Sequence, residues 1–465
     1  MNRPLWQLSA IDLGAAYRAD TCTPMDALES VLARCKVSNP ELNAVIALDA
    51  AAHDAARASQ ARFAAGCPLG PLDGIPLSIK DNLLMAGVSA TWGCAAMSGS
   101  VAAADELPVA RLRAQGAVLF GKTNVPEFTL EGYTDNAVFG TTRNPWCTAL
   151  TPGGSSGGAV AAVAAGIGPL ALCTDGGGSI RRPASHTGLV GLKPSIGAIA
   201  RADGLPSLLL DFEVVGPVGR SVADVAMMFD ALAGAHPRDR RSRALPADLR
   251  EARRVLHVSR FDGAPVDPQV ATATVAAANV LRELGCEVEE GDLPVDLSAL
   301  NAVWAEVGQI GLAALFALQP DLLERAAPKY REMAIQGAVL GAPRLWATLE
   351  RIDALRRAVD EVFSRWDAVL TPTAAALPWP AAEAYPPAID GRTVGPRGHA
   401  VFTGWVNAAG NPALSLPALP SVEGLPIGIQ LVGPWGGDRM LLALAERYEQ
   451  LSPWAGRFDE LWSKA

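Results

Sequence analysis

A serine hydroxyl attacks a carbonyl only when a neighbouring base takes its proton, and glycine lets several backbone N–H groups crowd one developing oxyanion. Residues 151–194, TPGGSSGGAVAAVAAGIGPLALCTDGGGSIRRPASHTGLVGLKP, supply both ingredients twice, around Ser155 and around Ser179. Gly176, Gly177, Gly178 and Ser179 could together present several amide donors to a tetrahedral intermediate. A flexible Gly/Ser linker has a similar composition, but it stays polar on either side. Here apolar runs at 159–165 and 170–173 flank the clusters, which argues that they lie inside a fold.

Two familiar patterns compete for this chemistry, and both fail on context. Residues 153–157 (GGSSG) fit the G-x-S-x-G nucleophile elbow, with His186 or His399 to complete a triad. An elbow needs a strand immediately before its serine, whereas 144–153 reads as a loop. The order Ser, acid, His leaves only His236, His257 and His399. Residues 116–123 (GAVLFGKT) match a phosphate-binding loop literally. Their middle, 117–120, reads as a strand core where open amides are required, and Pro126 sits badly for the helix that should follow.

A third set of matches covers nearly the whole chain: GIPLSIKDN at 74–82, GKTN at 121–124, GGSSGG at 153–158, TDGGGSIR at 174–181 and GLVGLKP at 188–194. VGP at 215–217 with Arg220, TPT at 371–373 and GLPIG at 424–428 continue it. In sequence and in order, these segments resemble the amidase signature family. The resemblance implies an α/β fold, a central twisted mixed β-sheet covered by helices on both faces. It implies that Ser179 is the nucleophile, that Ser155, in a cis peptide with Gly154, relays the proton, and that Lys80 is the base. Gly176, Gly177, Gly178 and Ser179 would hold the oxyanion, with Ser156, Asp175 and Arg181 in support. To accept a proton Lys80 must be neutral, so its pKa must fall from ~10.4 toward the working pH.

The implied activity is cleavage of small or medium carboxamides, aryl or ω-amino acyl amides among them, with no metal or organic cofactor. The alternative within the family is the glutamine-hydrolysing A subunit of a tRNA-dependent amidotransferase. A non-catalytic scaffold would require loss of Lys80, Ser155 or Ser179, and all three are present. The family's chemistry needs no histidine, so His186 reads as a packed neighbour. This chain departs from the family at Gly176, where a Thr or another side chain is more usual, and at Arg182, where an apolar residue is. Arg182 either reaches the acyl pocket to bind a carboxylate or other polar group, or points outward in a salt bridge. Trp92, Tyr133, Phe139, Phe402 and Trp405 are candidate pocket walls, with core packing as the alternative reading of each.

These residues need rigid elements to hold them. Strand-like runs at 75–79, 117–120, 255–258, 368–370 and 427–432 should share one sheet. Thr23-Pro24 opens a helix, Ser221 with Asp224 makes a capping box that Gly234 closes, and Asp267-Pro268 with Gly285 bracket another helix. The pattern describes one domain over 1–465: a helical portion at 1–65, the signature core at 70–235, a mainly helical layer at 240–365 lying over the sheet, and 366–465 completing the sheet.

Composition fits this reading. With 465 residues, 50% of them hydrophobic, the chain can bury a large core. Its net charge of −9 gives no attraction to nucleic acid, and the arginines at 238, 240, 241 and 243 are interrupted by Asp239. Seven scattered cysteines without a CxxC pair suit a reducing cytoplasm. The apolar stretch 159–173 is broken by Gly166, Gly168 and Pro169 and is shorter than the ~20 residues of a membrane span, so no membrane segment is expected. The partner expected is a small-molecule amide, and the resemblance allows a homodimer.

Overall fold

The computed structural model describes residues 3–246, 251–261 and 263–463. Thirteen strands form among them: β1 (Val45–Leu48), β2 (Pro76–Lys80), β3 (Val118–Thr123), β4 (Leu170–Asp175), β5 (Val190–Lys193), β6 (Val214–Gly219), β7 (Arg254–His257), β8 (Glu287–Glu290), β9 (Ala368–Pro372), β10 (Ala388–Ile389), β11 (Arg392–Thr393), β12 (Ala413–Pro417) and β13 (Gly428–Val432). Eleven join one sheet in the order β1-β3-β2-β4-β6-β5-β12-β13-β9-β7-β8, while β10 and β11 make a separate hairpin. β2 runs parallel to β3 and β4, and β7 runs parallel to β8 and β9. The remaining neighbours are antiparallel.

All five runs expected to be strands lie in this sheet, as β2, β3, β7, β9 and β13. The strands β2, β3, β4, β6, β9, β12 and β13 are buried at every position, so both faces of the sheet are covered. Two short helices, Gly157–Ala164 and Arg181–Thr187, are likewise buried throughout. A Cβ on Gly158 would meet the Asn124 and Ala44 carbonyl oxygens at 2.6 and 2.7 Å, so only glycine lets this helix lie so close to the strand ends.

The first 65 residues are not wholly helical, because β1 interrupts them as an edge strand antiparallel to β3. Four residues with one buried position give too short a period to announce a strand. Thr23 caps Pro24–Leu42 as expected, with Asp26 completing the capping box. At Ser221 only half the box forms: its hydroxyl accepts from the Asp224 amide, but the Asp224 carboxylate turns to the amides of Ala10 and Ile11 at 3.1 and 3.0 Å. A helix N-terminus elsewhere in the chain outcompetes the local cap. Asp267 and Gly285 bracket Pro268–Glu283 as read from sequence.

The helical layer covers the sheet only in part. Ala342–Arg365 packs Ile352, Leu355, Val359 and Val362 with Leu256 and Val369 of the sheet. Trp304–Leu318 and Pro328–Ala338 instead enclose Trp92, Cys94, Phe128 and Leu208. The stretch long and apolar enough to cross a membrane is not 159–173: residues 298–318, with mean hydropathy 1.3, meet that test among the described residues. The run breaks at Ala302 and Val303, and Val307, Leu312, Leu315 and Phe316 are buried against the protein, as in a packing helix.

Replacing Asp224 by alanine leaves two helix-terminal amides without their acceptor, and the variant is expected to lose about 1–3 kcal/mol of stability. Urea denaturation of Asp224→Ala measures this, with residual activity at low temperature expected to match the parent.

Candidate active site

Lys80 is the last residue of β2, and Asp175 the last of the adjacent β4. The Lys80 amine is fully buried and donates to Ser155 Oγ at 2.9 Å, Thr174 Oγ1 at 2.9 Å and the Thr174 carbonyl at 3.1 Å. Asn82 holds Thr174 Oγ1 in turn, at 3.0 Å. Burial lowers the Lys80 pKa to about 8, although the charges of Glu213 and Asp175 oppose the shift. An ammonium can donate all three of these bonds. A neutral amine keeps two for Thr174 and offers its lone pair to the Ser155 hydroxyl, so the same site holds both protonation states.

Ser155 lies in a loop, not after a strand, which agrees with the sequence argument against an elbow. The Gly154–Ser155 peptide is cis. The Gly154 backbone passes so close to Tyr133 that a Cβ would sit 2.6 Å from its carbonyl carbon, and only glycine fits there. Ser156 ties the two serine clusters together: its amide donates to the Ser179 carbonyl at 3.2 Å and its hydroxyl to the Thr174 carbonyl at 3.3 Å. Ser155 is 1% and Ser179 7% exposed, so the site is closed to bulk water but Ser179 keeps an opening.

The turn carrying Ser179 is built on one ion pair. Asp175 and Arg181, both completely buried, meet at 2.9 Å. The carboxylate also accepts from the amides of Gly178 at 2.6 Å and Ile180 at 3.0 Å, and from Asn407 Nδ2 at 2.9 Å. The guanidinium also donates to Gln430 at 2.6 Å, Asn407 at 2.5 Å and the Thr403 carbonyl at 3.3 Å. Burial alone would raise the carboxyl pKa, but the Arg181 charge and these donors outweigh it and hold the group far below the usual carboxylate range. One expectation needs correction here. The Gly178 amide is spent on Asp175, whereas those of Gly176, Gly177 and Ser179 donate to nothing among the described residues. The amides left free in this turn are therefore three, and Gly178, at φ +115°, shapes it.

Arg182 is not an outward salt-bridging arginine. It is 6% exposed, and its Nε is buried without an acceptor among the described residues. Tyr133 backs the Ser155 loop, but its hydroxyl accepts from Lys329 at 2.6 Å, toward the helical layer. His186 is buried edge-on against Trp379, and burial, then the Arg182 charge, pushes its pKa down to about 3. It is a neutral packed ring. Of the aromatic candidates, Trp92 belongs to the cluster with Phe128, Phe402 and Trp405 pack on Phe261, and Phe139 is half-buried. Lys122 of the phosphate-loop match is a buried strand residue beside Asp81 at 3.4 Å, with no open loop around it. Thr174, Thr403, Asn407 and Gln430 went unrecognised in the sequence. Thr174 opens a motif and Gln430 lies in an expected strand without a role assigned to either, while Thr403 and Asn407 lie in a segment whose composition carries no signal.

Fold and site together define an enzyme of the amidase class. A family model described as Amidase matches residues 26–442, and the chain belongs to the amidase signature family. It is 35% identical to the glutamyl-tRNA(Gln) amidotransferase A subunit of Symbiobacterium thermophilum, over 96% of this chain and 97% of that one. It is 33% identical to an acylamidase of Rhodococcus erythropolis, over 97% and 96% of the two chains. Among solved structures, a bacterial aryl acylamidase of the amidase signature family superposes with a TM-score of 0.92 at 29% identity, covering all of both chains.

Replacing Asp175 by asparagine strands the buried Arg181 charge and is expected to cost about 3–5 kcal/mol at neutral pH. The native carboxyl pKa is depressed, so its contribution is present above the unfolded value of ~3.9 and is lost as pH falls below it. Urea unfolding at several pH values should show the gap between parent and Asp175→Asn narrowing below about pH 4.

Proposed function

We propose that this chain is an amidohydrolase of small to medium carboxamides, acting through an acyl-enzyme on Ser179. The observation that carries the reading is the buried Lys80 amine held on Ser155 Oγ beside the Ser179 turn. With a pKa of about 8, roughly a tenth of Lys80 is neutral at pH 7. The neutral amine takes the Ser155 proton while Ser155 takes that of Ser179. Ser179 Oγ then bonds to the carbonyl carbon, and the amides of Gly176, Gly177 and Ser179 receive the oxyanion. As the tetrahedral intermediate collapses, the C–N bond breaks and the proton returns through Ser155 to the leaving nitrogen. Water, deprotonated along the same relay, attacks the acyl carbon, releases the acid and restores Ser179. Every base, relay and amide donor named in the scheme belongs to this chain.

A second reading is the glutamine-hydrolysing component of a tRNA-dependent amidotransferase, favoured by the 35% identity to such a protein. The same core would then deliver ammonia to a partner. The two readings differ in what the isolated chain does. A stand-alone amidase turns over a panel of primary amides, anilides and cyclic amides, while the second reading expects glutamine alone to be cleaved, with a strong dependence on partner proteins.

On the best substrate of that panel, Ser179→Ala is expected to lower kcat by about 10³-fold or more. Undiminished turnover would sink the assignment. The parent's kcat/KM should rise with pH through a single ionisation near 8, because the active form is the deprotonated lysine. In Lys80→Ala the residual rate should fall by about 10²–10⁴-fold and lose that ionisation.

A further inference from the structure

Buried arginines in this protein normally find acceptors. Arg181 has Asp175, Arg34 donates to the Ala165 carbonyl at 2.8 Å, and Arg220 donates to the Gly168 and Leu8 carbonyls at 3.2 and 2.5 Å. Arg182, near Ser179, does not, and the exposed Arg397 beside it is unpaired among the described residues as well. Arg182, three residues past the nucleophile, has a buried Nε without an acceptor and no ion pair among the described residues. The carboxylate whose charge acts on it is Asp175, already filled by Arg181, Asn407 and backbone amides. The Arg397 side chain likewise forms no ion pair or hydrogen bond among the described residues, and lies 4.4 Å over the Trp304 ring.

The Thr403–Gly404 turn brings these two guanidinium groups to the oxyanion loop. A Cβ on Gly178 would lie 2.7 Å from Thr403 Cβ and 3.1 Å from Arg182 Nε. A Cβ on Gly404 would lie 3.0 Å from Arg397 Nη2 and 3.2 Å from Trp304, which also backs Gly177 at 3.0 Å. Arg397 as a residue is exposed to solvent, while the protein packed around its guanidinium, then repulsion from Arg182, lowers its pKa to about 9. The other basic groups here are His186 and His399, both driven neutral by burial and then by Arg182. Both nitrogens of His399 also lack partners among the described residues. Arg397, Trp304 and Gly404 line a cavity of about 640 Å³ that also touches Phe261 and Trp405. An unpaired guanidinium nitrogen held away from water, as Arg182 Nε is, is costly, and a carboxylate is the ligand whose planar, bidentate geometry satisfies such a group.

We propose that Arg182 and Arg397 form a carboxylate subsite beside Ser179, so that the preferred substrates are carboxamides that also carry a carboxylate. This inference rests on the amidase reading for its chemistry, but not for binding. The test therefore has two arms. In the first, linear dicarboxylic acid monoamides are compared with neutral amides of equal length. The parent should favour the acids by about 10-fold or more in kcat/KM. Arg397→Leu and Arg182→Gln should each remove 10- to 100-fold of kcat/KM for the acids, mainly through KM, and change the neutral amides by less than about threefold. In the second arm, calorimetry measures binding of the corresponding dicarboxylates, free of turnover. Binding should weaken with salt and be lost in both variants.

Equal losses on acidic and neutral amides, or dicarboxylate binding that survives both substitutions, would overturn the subsite. Binding lost in the variants without any amide turnover by the parent would keep the subsite and remove the amidase reading instead. If Arg182→Gln fails to fold, Arg397→Leu, at a solvent-touched position, decides alone.

Discussion

The Asp175–Arg181 pair is the constraint on which the rest of the site depends. Between them the two side chains bond to the turn carrying Ser179, to Thr403 and Asn407, and to Gln430 of β13. Segments more than 200 residues apart in sequence thus meet at one charge pair. Such a pair adds little net stability over an apolar equivalent, because desolvating two charges offsets their attraction. What it provides is a single arrangement: with every lone pair and proton engaged, the turn has no alternative hydrogen-bonding pattern of comparable energy. It also fixes which amides remain free. By drawing the Gly178 and Ile180 N–H groups inward, Asp175 leaves those of Gly176, Gly177 and Ser179 unspent.

The strand ends make the same argument at larger scale. β2 and β4 are parallel neighbours, so their carboxyl ends lie side by side, and Lys80 reaches Thr174 with a short span of side chain. The buried helix Gly157–Ala164 then brings the Ser155 loop over both, which its glycines permit. A buried lysine between such strands has lost most of its hydration, and hydroxyl and carbonyl dipoles replace only part of it. That deficit lowers the pKa, and no acidic neighbour among the described residues touches the amine to restore it.

Legibility in the sequence followed locality. Lys80, Ser155, Asp175, Ser179 and Arg181 sit in dense glycine- and serine-bearing segments, where composition and order mark them before any fold is known. The sheet's longer apolar runs were visible for the same reason. The short strand β1 was not, since its pairing with β3 is a tertiary fact. Asp224 shows the limit from the other side: its local motif was real, but the helix-terminal amides of Ala10 and Ile11 claimed the carboxylate. Gly178 is similar, because a run of glycine amides does not say which one a nearby carboxylate will take. Asn407 and Gln430 act only through distant partners, and residue type alone did not separate them from ordinary polar residues.

The cations around the site also divide according to what each side chain can do with a proton. Lys80 is a compact amine whose charge can be given up near neutral pH, and its partners, a threonine and a serine, accept either state. Arg182 and Arg397 are depressed only to about 10 and 9, so both stay charged where the lysine has begun to lose its proton. Guanidinium keeps its proton because the charge is delocalised over the planar group, whereas an ammonium holds it at one atom. Exchanging the types would defeat both positions: an arginine at 80 could not serve as base, and a lysine at 182 would itself neutralise on burial. A lysine where a proton would move and arginines where a charge would stay is the distribution that the proposed cleavage of anionic amides requires.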